Sequence, residues 1–153
     1  MNYLDIQIVT ESNDYPEAGL FQQWVDAALA DAGRDIEIVI RLVDETESAE
    51  LNRQYRHKSG ATNILSFPFS APPGAETDLL GDLVLCCPLI RREALAQHKP
   101  VAHHWAHITI HGVLHLLGYD HCEELQAEQM ETLEIEILSK LNIANPYLEE
   151  SAP

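Results

Sequence analysis

Between positions 111 and 121 the chain reads His111-Gly112-Val113-Leu114-His115-Leu116-Leu117-Gly118-Tyr119-Asp120-His121, and few backbone arrangements make use of that spacing. The surrounding apolar stretch predicts a helix from about Val101 to Leu117. In a helix, residues four apart sit about 40° apart around the axis and roughly 6 Å along it, so His111 and His115 project from one face. A third imidazole can join them only if the chain leaves the helix and doubles back. Gly118 supplies the backbone freedom for that exit, just before Tyr119-Asp120-His121. The pattern HxxxHxxGxxH therefore aims His111, His115 and His121 at one point, where they could hold a single divalent ion.

Three neutral imidazoles suit zinc, and three protein ligands leave a coordination position open for a reactant. A purely structural zinc would need a fourth ligand, for which Cys122 is the nearest candidate, although its adjacency to His121 is poor spacing for chelating the same ion. Five of the eight histidines lie between His103 and His115. His103 and His107 continue the i, i+4 row, so His107 with His111 is an alternative helical pair; the glycine exit favours the later one. His107 then reads as packing or as support for a ligand, and His103, His104 and Trp105 as wall or core.

The rest of the chain predicts an α+β domain in which a small mixed sheet of about four strands packs with about five helices, the metal site lying at the end of a central helix. Leu4 to Ile8 and, more strongly, Ile36 to Leu42 alternate with period two. Between them a helix carries Leu20, Trp24, Ala27 and Ala28, with Pro16 in its first turn and Gly33 as its stop. Asp44 and Glu47 resemble a capping box opening a short second helix with Leu51, Arg53, Tyr55 and Arg56. Asn63 to Pro68 reads as a strand placed at a sheet edge, because Pro68 cannot donate to a ladder. Leu83 to Cys86 is a more buried strand, and the loop Ala71-Pro72-Pro73-Gly74 between the two is a candidate substrate-side flap. Helices follow at about Leu89 to Gln97, Val101 to Leu117 and Glu123 to Leu141, the last burying Met130, Leu133, Ile137 and Leu141 opposite Glu128 and Glu131. At 153 residues this is one domain, 1–148, with a short tail at 149–153.

Nine Lys and Arg against 25 Asp and Glu give a net charge of −16, which by itself argues against a polyanionic partner. Six of the cations form two clusters, however: Arg53-Arg56-Lys58 and Arg91-Arg92-Lys99. They make either a locally positive face or two solvated helix surfaces. The N-terminus lacks a positively charged segment before an apolar one, and no uncharged apolar run of about 18 residues occurs, so a cytoplasmic location without membrane association is expected. Adjacent Cys86 and Cys87 and the distant Cys122 form neither a disulfide framework nor a metal knuckle and read as buried thiols.

The segment from His111 to His121 closely resembles the signature of the YbeY family of bacterial endoribonucleases. Leu51-Asn52-Arg53-Gln54-Tyr55-Arg56, Thr62-Asn63-Ile64-Leu65-Ser66-Phe67-Pro68, Gly81-Asp82-Leu83-Val84 and His104-Trp105-Ala106-His107 look like further family blocks in the family's order. The resemblance spans about residues 40 to 147. It implies a zinc-binding α+β fold and cleavage of single-stranded RNA, tied to maturation of ribosomal RNA and quality control of ribosomes. It implies His111, His115 and His121 as metal ligands, with Arg56 as a functional arginine beside them. The partners it implies are single-stranded RNA, rRNA and the ribosome or a ribosomal protein, with no DNA expected; the oligomeric state is left open.

The same signature resembles the metzincin proteases, but Gly112 stands where their glutamate base would be, which favours phosphodiester over peptide hydrolysis. The expected chemistry is that the ion binds the scissile phosphate or activates water while Arg56 neutralises phosphoryl oxygens. An ion-activated water, Asp120 and the RNA's own 2′-hydroxyl are alternative bases; Asp120 could equally orient a histidine or cap the last helix. Phe67, Phe69, Tyr55 and Trp105 are core residues or stacking platforms for bases. Two rival functions are a ribosome-associated assembly factor with a mainly structural zinc, and a protease-like hydrolase of other substrates.

Overall fold

Period-two alternation carries directly into the sheet. In the computed structural model, which describes residues 1–75, 77–119 and 123–148, Ile36, Ile38, Ile40 and Leu42 point from one face of β2 (Ile36–Val43) into the main core. β1 (Asn2–Ile8) and β4 (Leu79–Cys86) run parallel to β2 on either side, and β3 (Ile64–Pro68) pairs antiparallel with β4. The order β1-β2-β4-β3 leaves β3 at an edge, with Pro68 as its last residue, where a missing N–H costs the ladder least.

Five helices complete the α+β domain: α1 (Ala18–Ala28), α2 (Glu45–Arg56), α3 (Cys87–Ala96), α4 (Val101–Leu116) and α5 (Glu124–Lys140). α4 is central. Trp105, Ile110, Val113 and Leu114 join the sheet's core face, while α1, α3 and α5 pack around it. Phe21 sets its ring edge-on to both Trp24 and Trp105, at 5.5 and 5.9 Å between centroids. A smaller cluster of Val43, Leu65 and Val84, joined by Leu51 of α2, covers part of the opposite sheet face.

Two glycines set how closely α4 meets the sheet. A Cβ on Gly112 would clash with Ile64 Cδ1 and sit 2.8 Å from Leu83 Cδ2. One on Gly81 would sit 2.7 Å from Leu116 Cδ2 and strike the backbone of β3. Only hydrogen at both positions lets the helix lie against β3 and β4 at this depth.

Several local details differ from the sequence expectation. Pro16 precedes α1 rather than lying in its first turn, because Glu17 is the extended cap residue whose carbonyl starts the helix. On α1, Trp24 is buried and Ala27 and Ala28 pack against the core as expected, but Leu20 is exposed and Phe21 and Val25 complete the buried face, which lies mainly against α4. Asp44 does cap α2 in position, but it makes no side-chain cap bond, so the capping box is absent. Its carboxylate instead accepts from the Thr10 hydroxyl and from the Glu11 N–H at 3.0 Å, while Glu47 takes two bonds from Arg41 of β2. Tertiary partners won both side chains. α3 begins at Cys87, with Pro88 in its first turn, two residues earlier than expected. Cys86 and Cys87 are buried free thiols; Cys122 and the 149–153 tail lie outside the described residues.

Candidate functional site

The site is built on the histidine stripe of α4. His104, His107, His111 and His115 follow one another at three- and four-residue intervals, and their rings stack edge to face along the helix. The Nε2 atoms of His111 and His115 face each other at 3.1 Å. Two nitrogens bound to one tetrahedral zinc at about 2.0–2.1 Å would lie roughly 3.3 Å apart, so the pair has the spacing such an ion requires.

The helix then ends as the glycine predicts. Gly118 adopts φ +104°, its N–H donates to the His115 carbonyl at 3.0 Å, and the Tyr119 N–H donates to the Leu114 carbonyl at 3.1 Å. This paired closure satisfies orphan carbonyls and turns the chain out of the helix. Asp120, His121 and Cys122 lie outside the described residues.

Behind His111 lies Glu134 of α5, fully buried. His111 Nδ1–H donates to its Oε1, the Tyr147 hydroxyl donates to its Oε2, and His107 Nε2–H lies 3.2 Å from Oε2 and equally from the Tyr147 oxygen. Burial alone would push this carboxyl up. The bonds from His107 and His111, the charge on His111 and the Tyr147 hydroxyl together outweigh it and hold the group down at about 2. The same environment pushes the Tyr147 phenol well above its ordinary range, first by burial and then by the adjacent carboxylate. His107, His111 and Glu134 place one potential ligand atom each within 4.8 Å of one another, so the described residues contain a group that could hold a metal ion.

Sequence reasoning misses Glu134 and Tyr147. Glu134 carries a signal: it falls between Met130 and Leu138 on the buried row of α5, where a carboxylate is out of place. Tyr147 carries none. It reaches His107 because Asn142 turns the chain at the end of α5 with φ +62° and because Lys99 Nζ donates to the Pro146 carbonyl at 2.9 Å.

A cleft of about 700 Å³ opens in front of His111 and His115. Its walls are the end of α2, with Tyr55 and Arg56, and the whole edge strand β3 together with Thr62 and Asn63 before it. Arg56 of α2 and the histidines of α4 thus meet in one cavity although 55 residues separate Arg56 from His111. Arg53, Arg56 and Lys58 are exposed, and among the described residues none has a carboxylate partner. The other basic cluster is spent on structure: Arg91 pairs with Asp14, Arg92 with Glu45, and Lys99 with the Pro146 carbonyl.

Of the four aromatic candidates, Trp105 belongs to the core, whereas Tyr55 and Phe67 line the cleft and Phe69 is exposed beyond it. His104 is buried and donates to Glu93 at 3.0 Å, where Asn63 Nδ2 also donates at 3.1 Å; this ties α3 and α4 to the residue that precedes β3 on the cleft wall. Gly112 faces the sheet, and among the described residues no carboxylate lines the cleft.

The fold and the sequence both find counterparts among known proteins. The model of a family described as Endoribonuclease YbeY matches residues 6–142. The solution structure of TM1509 from Thermotoga maritima superposes with a TM-score of 0.57 at 26% identity, covering 97% of each chain. The class so defined is that of phosphodiester hydrolases acting on RNA. This chain belongs to the endoribonuclease YbeY family.

Proposed function

We propose that the chain is a zinc-dependent endoribonuclease specific for single-stranded RNA, acting in small-subunit rRNA processing and in ribosome quality control. The observation that carries the catalytic part is the convergence of the His111–His115 Nε2 pair and the exposed Arg56 guanidinium on one open cleft.

The donor set fits zinc. When the His111 ring is neutral, the ionised Glu134 holds its one proton on Nδ1, which leaves Nε2 as a lone pair directed at His115 and the cleft. His111, His115 and His121 would hold the ion. When bound, zinc supplies Lewis acidity toward a phosphate oxygen and lowers the pKa of water.

The chain's own residues do the rest. Arg56, with no carboxylate partner among the described residues, grips the phosphate with two parallel N–H bonds and neutralises charge that builds on it. Tyr55 and Phe67 border the approach and offer ring faces to unpaired bases. A duplex presents no such bases, which is the physical basis for single-strand preference. Arg53 and Lys58, both exposed, lie within three residues of Arg56 in the chain, so positive charge is local on a chain that is acidic overall. An acidic remainder would repel naked RNA, and a ribosomal partner would supply the missing attraction. Peptide hydrolysis finds little support, because position 112 faces the sheet and the described cleft walls carry no carboxylate base.

Incubation of zinc-loaded protein with single-stranded RNA and with unfolded protein, each with and without chelator, tests this. RNA should be cut, the chelator should stop it, added zinc should restore it, and the protein substrate should survive. Chelator-insensitive cleavage, or degradation of the protein with intact RNA, refutes the proposal.

A further inference from the structure

Glu134 is a carboxylate with no exposed surface, set between Met130 and Leu138 in the apolar stripe of α5. A leucine there would serve the core at least as well, because the attraction within a buried ion pair seldom exceeds the cost of removing its charges from water. The chain nonetheless surrounds it with three donors from two distant segments: His107 and His111 on α4, and Tyr147 beyond α5. Glu134 meets the His111 ring at Nδ1, whereas His115 meets it at Nε2.

We propose that Glu134 is the positioning residue of the metal centre: by accepting the Nδ1–H of His111 it fixes the ring's tautomer and angle, so that Nε2 meets the ion as a lone pair. This rests on the proposed zinc site of His111, His115 and His121 and adds the group that organises it. A carboxylate behind a ligand imidazole also makes the ring a stronger donor to the metal. His107 and the Tyr147 hydroxyl hold the second oxygen, Oε2, which keeps Oε1 aimed at His111.

The competing arrangement makes Glu134 itself a ligand, with His107 and His111. The cleft argues against it. His111 and His115 line the cavity, whereas His107 and Glu134 do not, and both Glu134 oxygens are already engaged by N–H or O–H donors. An ion entering from the cleft meets the Nε2 edge first.

The test compares wild type with Glu134→Gln, Tyr147→Phe and His115→Ala. Zinc affinity is measured by competition with a chromogenic chelator, and the His111 tautomer in metal-free protein by 15N-detected NMR. Glu134→Gln should weaken zinc binding by about 10- to 100-fold and mix the two tautomers, with circular dichroism unchanged. Tyr147→Phe, which keeps the carboxylate, should shift both readouts in the same direction by less, and it serves if the glutamine variant misfolds. Unchanged affinity with a preserved Nδ1–H tautomer in Glu134→Gln overturns the positioning role and leaves the three-histidine site standing. Zinc bound normally by His115→Ala but lost in Glu134→Gln puts the ion among His107, His111 and Glu134, and both proposals then fall. If wild type binds no zinc the metal site fails, and the tautomer measurement still decides whether Glu134 sets the ring.

Discussion

The rings of Tyr55 and Phe67 meet edge to face with 5.1 Å between centroids, joining the end of α2 to the edge strand β3 at the border of the cleft. Tyr55 is 57% exposed, a large apolar surface that the fold leaves uncovered next to Arg56. Stacking of one base on such a ring is worth about 1–3 kcal/mol. Tyr55→Ala should therefore raise KM for single-stranded RNA by roughly five- to a hundredfold. It should leave kcat within about a factor of two, since the ring touches no reacting atom. Tyr55→Phe should behave as wild type. Steady-state cleavage kinetics on a short oligonucleotide check this, and an unchanged KM in Tyr55→Ala rules the platform out.

Arg56 ends α2 exposed and without an internal ion pair among the described residues, so its removal costs the fold little. Arg56→Ala should lower kcat by about 100- to 1000-fold, as expected for losing one donor to developing charge. Zinc content and Tm should stay as in wild type. Arg56→Lys should recover only part of the activity, because an ammonium cannot form the paired bonds. Normal cleavage by Arg56→Ala would remove this residue from the mechanism.

Gly112 sits where α4 lies closest to β3 and β4. Gly112→Ala should destabilise the protein by about 1–3 kcal/mol, read as a lower urea midpoint at an unchanged slope, through overpacking against Ile64 and Leu83. Gly112→Glu should be worse and should gain no protease activity, since the new carboxylate would face the sheet. A neutral Gly112→Ala would mean that the helix can back away from the sheet.

Burial alone would push the Glu93 carboxyl up, but bonds from His104 and Asn63 and the charges of His104 and Arg92 hold it below its ordinary value of 4.5. A depressed folded-state value means that the ionised form stabilises the fold. That contribution is complete above about pH 4.5, the unfolded value, and is lost as pH falls through the lower folded value. Wild type should therefore lose stability more steeply than Glu93→Gln does as pH falls below about 4.5. Parallel acid limbs in urea titrations of the two proteins would contradict this.

Burial pushes the Cys87 thiol up to about 12 and raises that of Cys86 as well. Neither should react with iodoacetamide at about pH 8 in the folded protein, and both should be labelled in urea. Peptide mapping by mass spectrometry distinguishes them from Cys122. Rapid labelling of either one in the native state would show that the end of β4 opens.

Local pattern makes much of the architecture legible. Alternation along 36–42 marks a strand whose even-numbered residues are all buried, and the apolar run from Val101 ends within one residue of the expected point. The errors share a cause. Asp44 and Glu47 have the spacing of a capping box, but Thr10 and Arg41, 34 and six positions away, supply stronger partners. On α1 the expected face holds at Trp24, Ala27 and Ala28 but fails at Leu20, because periodicity does not say which residue of the first turn the neighbouring helix covers. Glu134 stands in an acidic segment, so its place on the Met130–Leu138 row is an easily missed signal, and the packing of α5 on α4 shows what the carboxylate holds.

The sequence by itself determined the helix that carries His111 and His115 on one face and the glycine that ends it, because both follow from backbone geometry within a few residues. Tertiary structure alone decided that Arg56 and Tyr55 stand across a cleft from those rings, that Glu134 lies behind one of them, and that Tyr147 returns to hold Glu134. Those relationships join segments 13 to 60 residues apart, and only the packing of α2, β3, α4 and α5 around a shared core brings them within reach.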